Sequence, residues 1–330
     1  MKIFWYKKNI VILCFIFSLI GLSLSTPNAF SQAYPTKPIE VIVPFAPGGS
    51  VEIGARIMNT PMAEILGQPM VVITKPGSGG AIGAEYVAKA KPDGYTILSS
   101  SNSANVVSPA INLNTTYTIN DFKPIGEYGT ITLLIAVNST APWKTAQELI
   151  KYAKENPGKL TYGTGGIGAT TFMFAELFKK ATGIKVVHVP FKGDNPNVTA
   201  LAGGHVDFSS VSIVGALSQL DAKKVRALVV SGSKRDPQLP DIPTVTEIAY
   251  PNATFLPWQA YFVPKGTPQP IVEKLSTAFK KAYDNPSVRE QIRKIGFVPE
   301  YMTGEELQKR IEKEYKICRE LAEEGGFLVK

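Results

Sequence analysis

Short apolar runs rich in β-branched residues alternate along the chain with longer stretches whose apolar positions recur at helical spacing. The first kind reads as buried strand and the second as amphipathic helix. Ile39–Val43 predicts a first strand and Val51–Leu66 a first helix. Met70–Thr74 predicts a second strand, followed by the turn Gly77–Gly80 and a helix through Lys89. Thr96–Leu98 predicts a third strand that opens into a polar loop, Ser99–Asn105. Ile131–Val137 reads as a longer strand and Thr145–Asn156 as a helix.

A second unit repeats this logic. Leu160–Tyr162 predicts a strand, Gly163–Gly168 a glycine turn and Thr170–Thr182 a helix. Val186–Val189, a short helix Pro196–Ala202, the strand Val206–Ser210 and the strand Val225–Val230 follow. After the proline-rich stretch Pro237–Pro243, Ala260–Val263 predicts a return strand, and Pro270–Asp284, Ser287–Ile295 and Gly304–Glu324 predict helices. Strand–helix alternation implies an α/β architecture with mostly parallel sheets flanked by helices. Two similar halves and a C-terminal return imply two lobes, with a ligand cleft between them where the loops after the strands gather.

The stretch VIVPFAPGGSVEIGAR, Val41 to Arg56, carries the clearest chemical signal. Glycines at a strand-to-helix turn let backbone N–H groups approach a ligand, and the helix start adds partial positive charge. Together they bind an anion without Arg or Lys. The loops Ser99–Ser103, Gly163–Thr171 and Ser209–Ser212 are similarly rich in Ser, Thr, Asn and Gly. Each alone also fits a plain connection or an ordinary N-cap. Several converging on one cleft fit a binding site better, since amides and hydroxyls suit a carboxylate and water can bridge them.

The N-terminus changes the picture of where the chain acts. Lys2, Lys7 and Lys8 precede a nearly all-apolar stretch, Ile10 to Leu24, and Ser31-Gln32-Ala33 offers small residues for cleavage. This predicts a secretory signal peptide over residues 1–33, hence a periplasmic protein. The apolar run is about 15 residues, short of the roughly 20 that span a bilayer. Cys14 leaves with that leader, so Cys318 is alone in the mature chain and neither a disulfide nor a cysteine metal site is available. Removing three lysines and no acid lowers the formal charge from +8 to +5, spread along the chain without the basic stripe that nucleic acid requires.

Enzyme chemistry finds little support. Gly163, Gly165 and Gly168 spell G-x-G-x-x-G after a strand, but the next strand, KVVHVP, lacks the acid that would hold a ribose. His188 and His205 are the only histidines, the first within an apolar strand and the second in a loop. No G-x-S-x-G elbow and no His/Asp/Glu cluster with metal-ligand spacing is present. The expectation is a binding protein with no cofactor and no metal.

From Tyr34 to Gly326 the chain resembles the Bug-type extracytoplasmic solute receptors, the binding proteins of tripartite tricarboxylate transporters. The resemblance rests on six ordered blocks: YPTKPIEVIVPFAPGGSVEIGAR, TKPGSGGAIGAEYVAKAKPDGYTIL, YGTGGIGATTFMFAELF, VPFKGDNPNVTALAGGHVDF, VRALVVSGSKRDPQLPDIPTVTE and YFVPKGTPQPIVEKL. It implies a type II two-lobed periplasmic binding fold, with lobe 1 formed by residues 34–129 plus 257–330 and lobe 2 by 130–256. It also implies a monomer that closes on a small organic carboxylate and delivers it to inner-membrane permease subunits. The matching ligand-binding positions are Phe45, Pro47, Gly48, Gly49 and Ser50 in the first lobe, and Thr164, Gly168, Ala169, Thr170 and Thr171 in the second. Ser101, Asn102 and Ser103 fall in the loop after the third strand, Ser209 in the serine-rich exit, and Phe191 and Lys192 in a V-P-F-K-G turn. Trp258, beside the predicted crossover, fits a wall of the cleft and fits a buried packing tryptophan equally well.

Two departures from the family pattern bear on the ligand. Glu52 stands where an Asp is usual, and Val211 where many relatives carry an Asp that would counter an ammonium group. Val211 would leave an ammonium unpaired, which argues for a ligand without an amino group, such as a di- or aromatic carboxylate. Two rival functions stand beside transport: a sensor receptor of the same fold feeding a two-component system, and an exported hydrolase, which would turn its ligand over and depend on His188.

Overall fold

The computed structural model describes residues 34–329, so the leader expected over residues 1–33 lies outside the described residues. From Lys37 onward the chain forms one compact unit built on two mixed sheets. The first sheet holds β1 (Ile39–Val43), β2 (Met70–Thr74), β3 (Thr96–Ser101), β4 (Phe122–Thr130), β10 (Trp258–Pro264) and β11 (Met302–Thr303), in the order β11-β4-β10-β3-β1-β2. The second holds β5 (Leu133–Asn138), β6 (Thr161–Thr164), β7 (Val187–Pro190), β8 (Phe208–Ser212) and β9 (Val225–Val230), in the order β7-β6-β8-β5-β9. The helices are α1 (Ser50–Leu66), α2 (Ala81–Ala88), α3 (Ser108–Ile111), α4 (Ala146–Glu155), α5 (Thr170–Thr182), α6 (Asp194–Ala202), α7 (Ile213–Asp221), α8 (Gln269–Asp284), α9 (Pro286–Lys294) and α10 (Gly304–Gly325).

The expected two-lobed α/β fold is present, with parallel pairing confined to part of each sheet. β1 pairs in parallel with β2 and β3, and β6 with β7 and β8. β10 runs antiparallel to β3 and β4, and β5 antiparallel to β8 and β9. Apart from the short edge strand β11, antiparallel to β4, the antiparallel pairs involve strands where the chain leaves one sheet for the other: β4 is followed by β5 across Ile131 and Thr132, and the second sheet returns through β10. A strand that enters from the neighbouring sheet need not follow a helical crossover, so it is free to run against its neighbours.

Two local differences from the sequence pattern have the same cause. Ser99 to Ser101 read as loop, but they extend β3 and are almost fully buried, registering against Tyr261, Ala260 and Gln259 of β10. Strand β4 is not expected from the pattern, because Pro124, Gly126 and Gly129 break its apolar run. At Gly126 a Cβ would lie 2.8 Å from the Phe279 ring, so the glycine is there to let α8 pack closely. In both cases a partner distant in sequence overrides local propensity.

Beneath the first sheet Tyr128, Tyr261, Phe279 and Phe297 pack ring against ring. The Tyr261 hydroxyl donates to Asn59 Oδ1 at 2.6 Å, joining β10 to α1. Helix α10 begins with a capping box, Thr303 and Glu306 satisfying each other's backbone N–H groups. It then crosses β4 and reaches α5, where Lys180 pairs with Glu324. Midway along it, Arg310 donates to both oxygens of wholly buried Glu127 on β4 at 3.1 and 3.0 Å, to Glu314 at 2.7 Å, and to the Leu256 carbonyl at 3.0 Å. This ionic cluster sits beside the strand-to-strand passages. Among the described residues no helix is long and apolar enough to cross a membrane.

Candidate functional site

β1 ends at Val43, and the chain turns through Phe45 to Gly49 before entering α1. Gly48 has φ +76°, a left-handed conformation that glycine adopts without a Cβ penalty, and its N–H donates to Glu52 Oε2 at 3.3 Å. Gly49 is the N-cap, in extended conformation and with no side-chain acceptor. The leading N–H groups of α1 are therefore left without a side-chain cap. Glu52 does not reach the cleft wall: it is tucked into the first turn, holding the Gly48 N–H and pairing with Arg56.

The second turn is built alike. β6 ends at Thr164, and the loop Gly165 to Ala169 is fixed from both sides. Thr171 Oγ1 accepts the Gly165 N–H at 2.9 Å, and Thr164 Oγ1 accepts the Gly166 N–H at 3.2 Å. Ala169 is the N-cap of α5 and supplies no side-chain acceptor either. Gly168 has φ +89°, and its carbonyl accepts from Ser103 Oγ at 3.5 Å, a hydroxyl that also reaches the Gly79 carbonyl at 3.3 Å. A third uncapped start lies beside them: Gly193, φ +106°, precedes α6 and donates to the Gly165 carbonyl at 3.2 Å. Of the other helices, α4, α7, α9 and α10 carry side-chain caps from Thr145, Ser212, Asn285 and Thr303, and α2, α3 and α8 start without one.

The uncapped starts of α1, α5 and α6 meet at a cavity of about 240 Å³. Of the residues expected from sequence, Phe45, Ser50, Ser101 and Ser103 line it from the first sheet's side, and Ala169, Thr170 and Thr171 from the second's. Pro47 and Gly48 are exposed on the first turn and shape it without lining the cavity, as does Gly49. Gly168 sets the approach of the two turns through its carbonyl.

Four expectations need correction. Trp258 does not wall the cavity: it is fully buried, and its Nε1–H donates to Glu314 Oε2 at 3.0 Å. Successive strand residues face opposite ways, so it is Gln259 that lines the cavity. Asn102 is fully buried, its amide directed to the Leu256 carbonyl at 3.4 Å and Glu314 at 3.5 Å. Thr164 is turned to His188, its Oγ1 2.7 Å from Nε2, where Tyr162 and Phe172 also pack on the imidazole. Ser209 lies buried under Gly163, whose Cβ would come within 2.6 Å of its hydroxyl. Burial among these groups holds His188 below its ordinary pKa, Glu176 pulling upward and Lys179 adding to the depression.

Sequence reasoning missed Asp194 and Gln259, while Ser212 falls in the expected Ser209–Ser212 loop and Gly193 ends the V-P-F-K-G turn. Asp194 follows the V-P-F-K-G turn and opens a helix, a position where an acid could have been noticed. Among the residues lining the cavity Asp194 is the single charged side chain, and none is Lys or Arg. Its Oδ2 accepts the Ser212 backbone N–H at 3.0 Å and the Ser212 hydroxyl in a short contact. Burial raises its pKa above the ordinary carboxylate value, and these two bonds from Ser212 oppose the rise. Val211, by contrast, is wholly buried and does not line the cavity, so its lack of charge says nothing about an ammonium group in the ligand. Lys192 is exposed. Larger hollows of about 930, 590 and 730 Å³ lie elsewhere, none touching the glycine turns. Among the described residues no group of three or more His, Cys, Asp or Glu could hold a metal.

Comparison with known proteins agrees with this architecture. Residues 54–327 match the model of the tripartite tricarboxylate transporter family receptor. Protein BugT of Bordetella pertussis is 30% identical over 321 residues, covering 96% of this chain and 98% of that one. Among solved structures, Rpa4515 of Rhodopseudomonas palustris with adipate has TM-score 0.78 at 30% identity, covering 90% of this chain and all of its own. MatC of the same organism with bound malate has TM-score 0.73 at 29% identity, covering 87% and 99%. With most of its length matched in sequence and fold, this chain belongs to the tripartite tricarboxylate transporter family of solute-binding receptors.

Proposed function

We propose that this receptor captures a small organic carboxylate in the 240 Å³ cavity and delivers it, unchanged, to inner-membrane permease subunits. The observation that carries the reading is the convergence of three uncapped helix starts, at Ser50, Thr170 and Asp194, on one cavity whose walls hold no cation. An anion there takes its bonds from backbone N–H groups and from the hydroxyls of Ser50, Ser101, Thr170 and Thr171. The relatives solved with malate and adipate support a carboxylate ligand of this size. Pockets for small molecules begin at about 300 Å³, so a cavity this small favours a compact ligand.

The mechanism is differential affinity without covalent chemistry. Lobe 1 (34–129 with 257–330) presents α1, and lobe 2 (130–256) presents α5 and α6. A ligand touching all three is held best when the lobes are closed, so binding shifts the hinge equilibrium toward closure. Residues 1–33 direct export to the periplasm and are removed there. The test is a thermal-shift and calorimetric screen of purified mature protein against mono-, di- and tricarboxylates. Ligand at about 100 times its dissociation constant should stabilise by about 2.7 kcal/mol. For a chain of this size that is a rise of roughly 5–8 °C. Failure of every carboxylate to shift the melt, or conversion of one into product, would sink the reading.

A further inference from the structure

Asp194 is the one ionisable group on the cavity, and half of it is unused. Its Oδ2 is committed to Ser212 at the β8–α7 junction, where a Cβ on Gly215 would lie only 2.6 Å away. Its Oδ1 is buried and has no hydrogen-bond partner. Gln259 Oε1, on β10 in the other sheet and also on the cavity, is likewise buried and without a partner. A buried acceptor without a donor costs free energy, most of all when it belongs to a carboxylate. A ligand carboxylate placed against Asp194 would make this worse, because two anions at hydrogen-bond distance repel in a medium that screens them poorly. The Gln259 amide can be turned to offer oxygen or nitrogen, so Asp194 decides the chemistry.

We infer that Asp194 sets the ligand class of this cavity, selecting a carboxylate that also bears a hydrogen-bond donor, an ammonium or a hydroxyl group, over a plain carboxylate. This rests on the carboxylate-capture reading above and refines it. The ligand's carboxylate is held by the uncapped starts of α1 and α5, and its donor is given to Asp194 Oδ1. The position of Asp194 fits that task. It is the first residue of α6 and lies against the capped start of α7. Two helix N-termini and the Ser212 bonds thus favour its anionic form against the burial that raises its pKa, and a donor brought by the ligand adds to that side.

The test compares matched ligands that differ only in the donor: succinate, malate and aspartate; glutarate, 2-hydroxyglutarate and glutamate; propionate, lactate and alanine. Adipate and benzoate extend the donor-free arm. Isothermal calorimetry on the mature protein should show a donor-bearing member binding at least tenfold tighter than its donor-free partner. Asp194→Ala should reduce that ratio to within about threefold. Asp194→Asn keeps an acceptor for Ser212, so it serves where the alanine variant fails to fold. It separates the two donors as well: an ammonium ligand loses its advantage in Asp194→Asn, and a hydroxyl ligand keeps it. Preference for donor-free carboxylates in the unsubstituted protein would overturn the inference while leaving carboxylate capture intact. A ratio unmoved by Asp194→Ala would overturn it equally. Silence from every compound in the panel would instead remove the capture reading beneath it.

Discussion

Replacing Arg310 with Met tests how α10 is fastened to β4 and to the passage that leads into β10. The guanidinium is 17% exposed and makes four bonds: two to Glu127, one to Glu314 and one to the Leu256 carbonyl. Methionine fills much of the volume and makes none of them. Glu127, with no exposed surface, would then lack a charged partner. Burial outweighs Arg310 and holds Glu127 at about 8, against an ordinary 4.5, so at pH 7 the carboxyl is already largely neutral in the fold and its protonation costs the parent and the variant alike. What the variant loses at pH 7 is the guanidinium's bonds, which leaves the Leu256 carbonyl and the two glutamates short of a donor. At about 1 kcal/mol for each of these partners, the net loss expected is about 3 kcal/mol. The melting temperature should fall by roughly 6 °C.

The sign with pH follows from the same linkage. In the parent Glu127 ionises as the pH passes about 8, where Arg310 pairs with the charge. In the variant it stays neutral to higher pH, so the deficit is level below about pH 8 and grows above it by up to about 1.36 kcal/mol per unit. Denaturant melts of Arg310→Met should therefore show the same deficit at pH 6 and pH 7 and a larger one at pH 9. Adding Glu127→Gln removes the stranded acid and should restore at least half of the loss. A deficit below 1 kcal/mol at pH 7, or a double variant no more stable than the single one, would refute the reasoning.

Other substitutions follow from the placement of the cavity residues. Thr171→Val keeps the shape but strands the Gly165 N–H, which should cost about 1–2 kcal/mol and weaken carboxylate binding in calorimetry more than it lowers the melt. Trp258→Phe removes the bond to Glu314 and should lower the melting temperature while leaving ligand affinity within about threefold, since Trp258 does not line the cavity. Burial keeps Asp194 above its ordinary pKa, so its contribution to folding is greatest below the unfolded value and falls as pH rises through the folded one. Ligand-free Asp194→Asn should thus gain stability relative to the parent between pH 4 and pH 7, read by melts at matched pH.

Hydrophobic periodicity was enough to place most elements, because a buried strand or an amphipathic helix must show its burial in its own residues. Val225–Val230, Met70–Thr74 and Thr170–Thr182 are found where the pattern put them. Both glycine turns were legible as well, since a strand-to-helix turn needs glycine's freedom locally, as Gly48 and Gly168 show. Phe45, Ser50, Ala169, Thr170 and Thr171 on the cavity were within reach for that reason.

What the sequence could not show is whatever depends on a partner far along the chain. The serines of β3 count as strand only because β10 returns beside them, and β4 tolerates glycines only because α8 needs the space. Trp258 and Gln259 are neighbours in sequence, yet one is sealed against Glu314 and the other lines the cavity, a choice made by the facing of β10. Nothing in the pattern marks Asp194, which lies just before the helix Pro196–Ala202 expected from sequence, as a cavity residue. Only the fold sets it against Ser212, leaves one oxygen without a donor, and puts it on the wall of the same cavity as two helix starts that share no local sequence with it. Local propensity acts over a few residues, whereas a binding site is an arrangement of surfaces, and burial decides which surfaces meet.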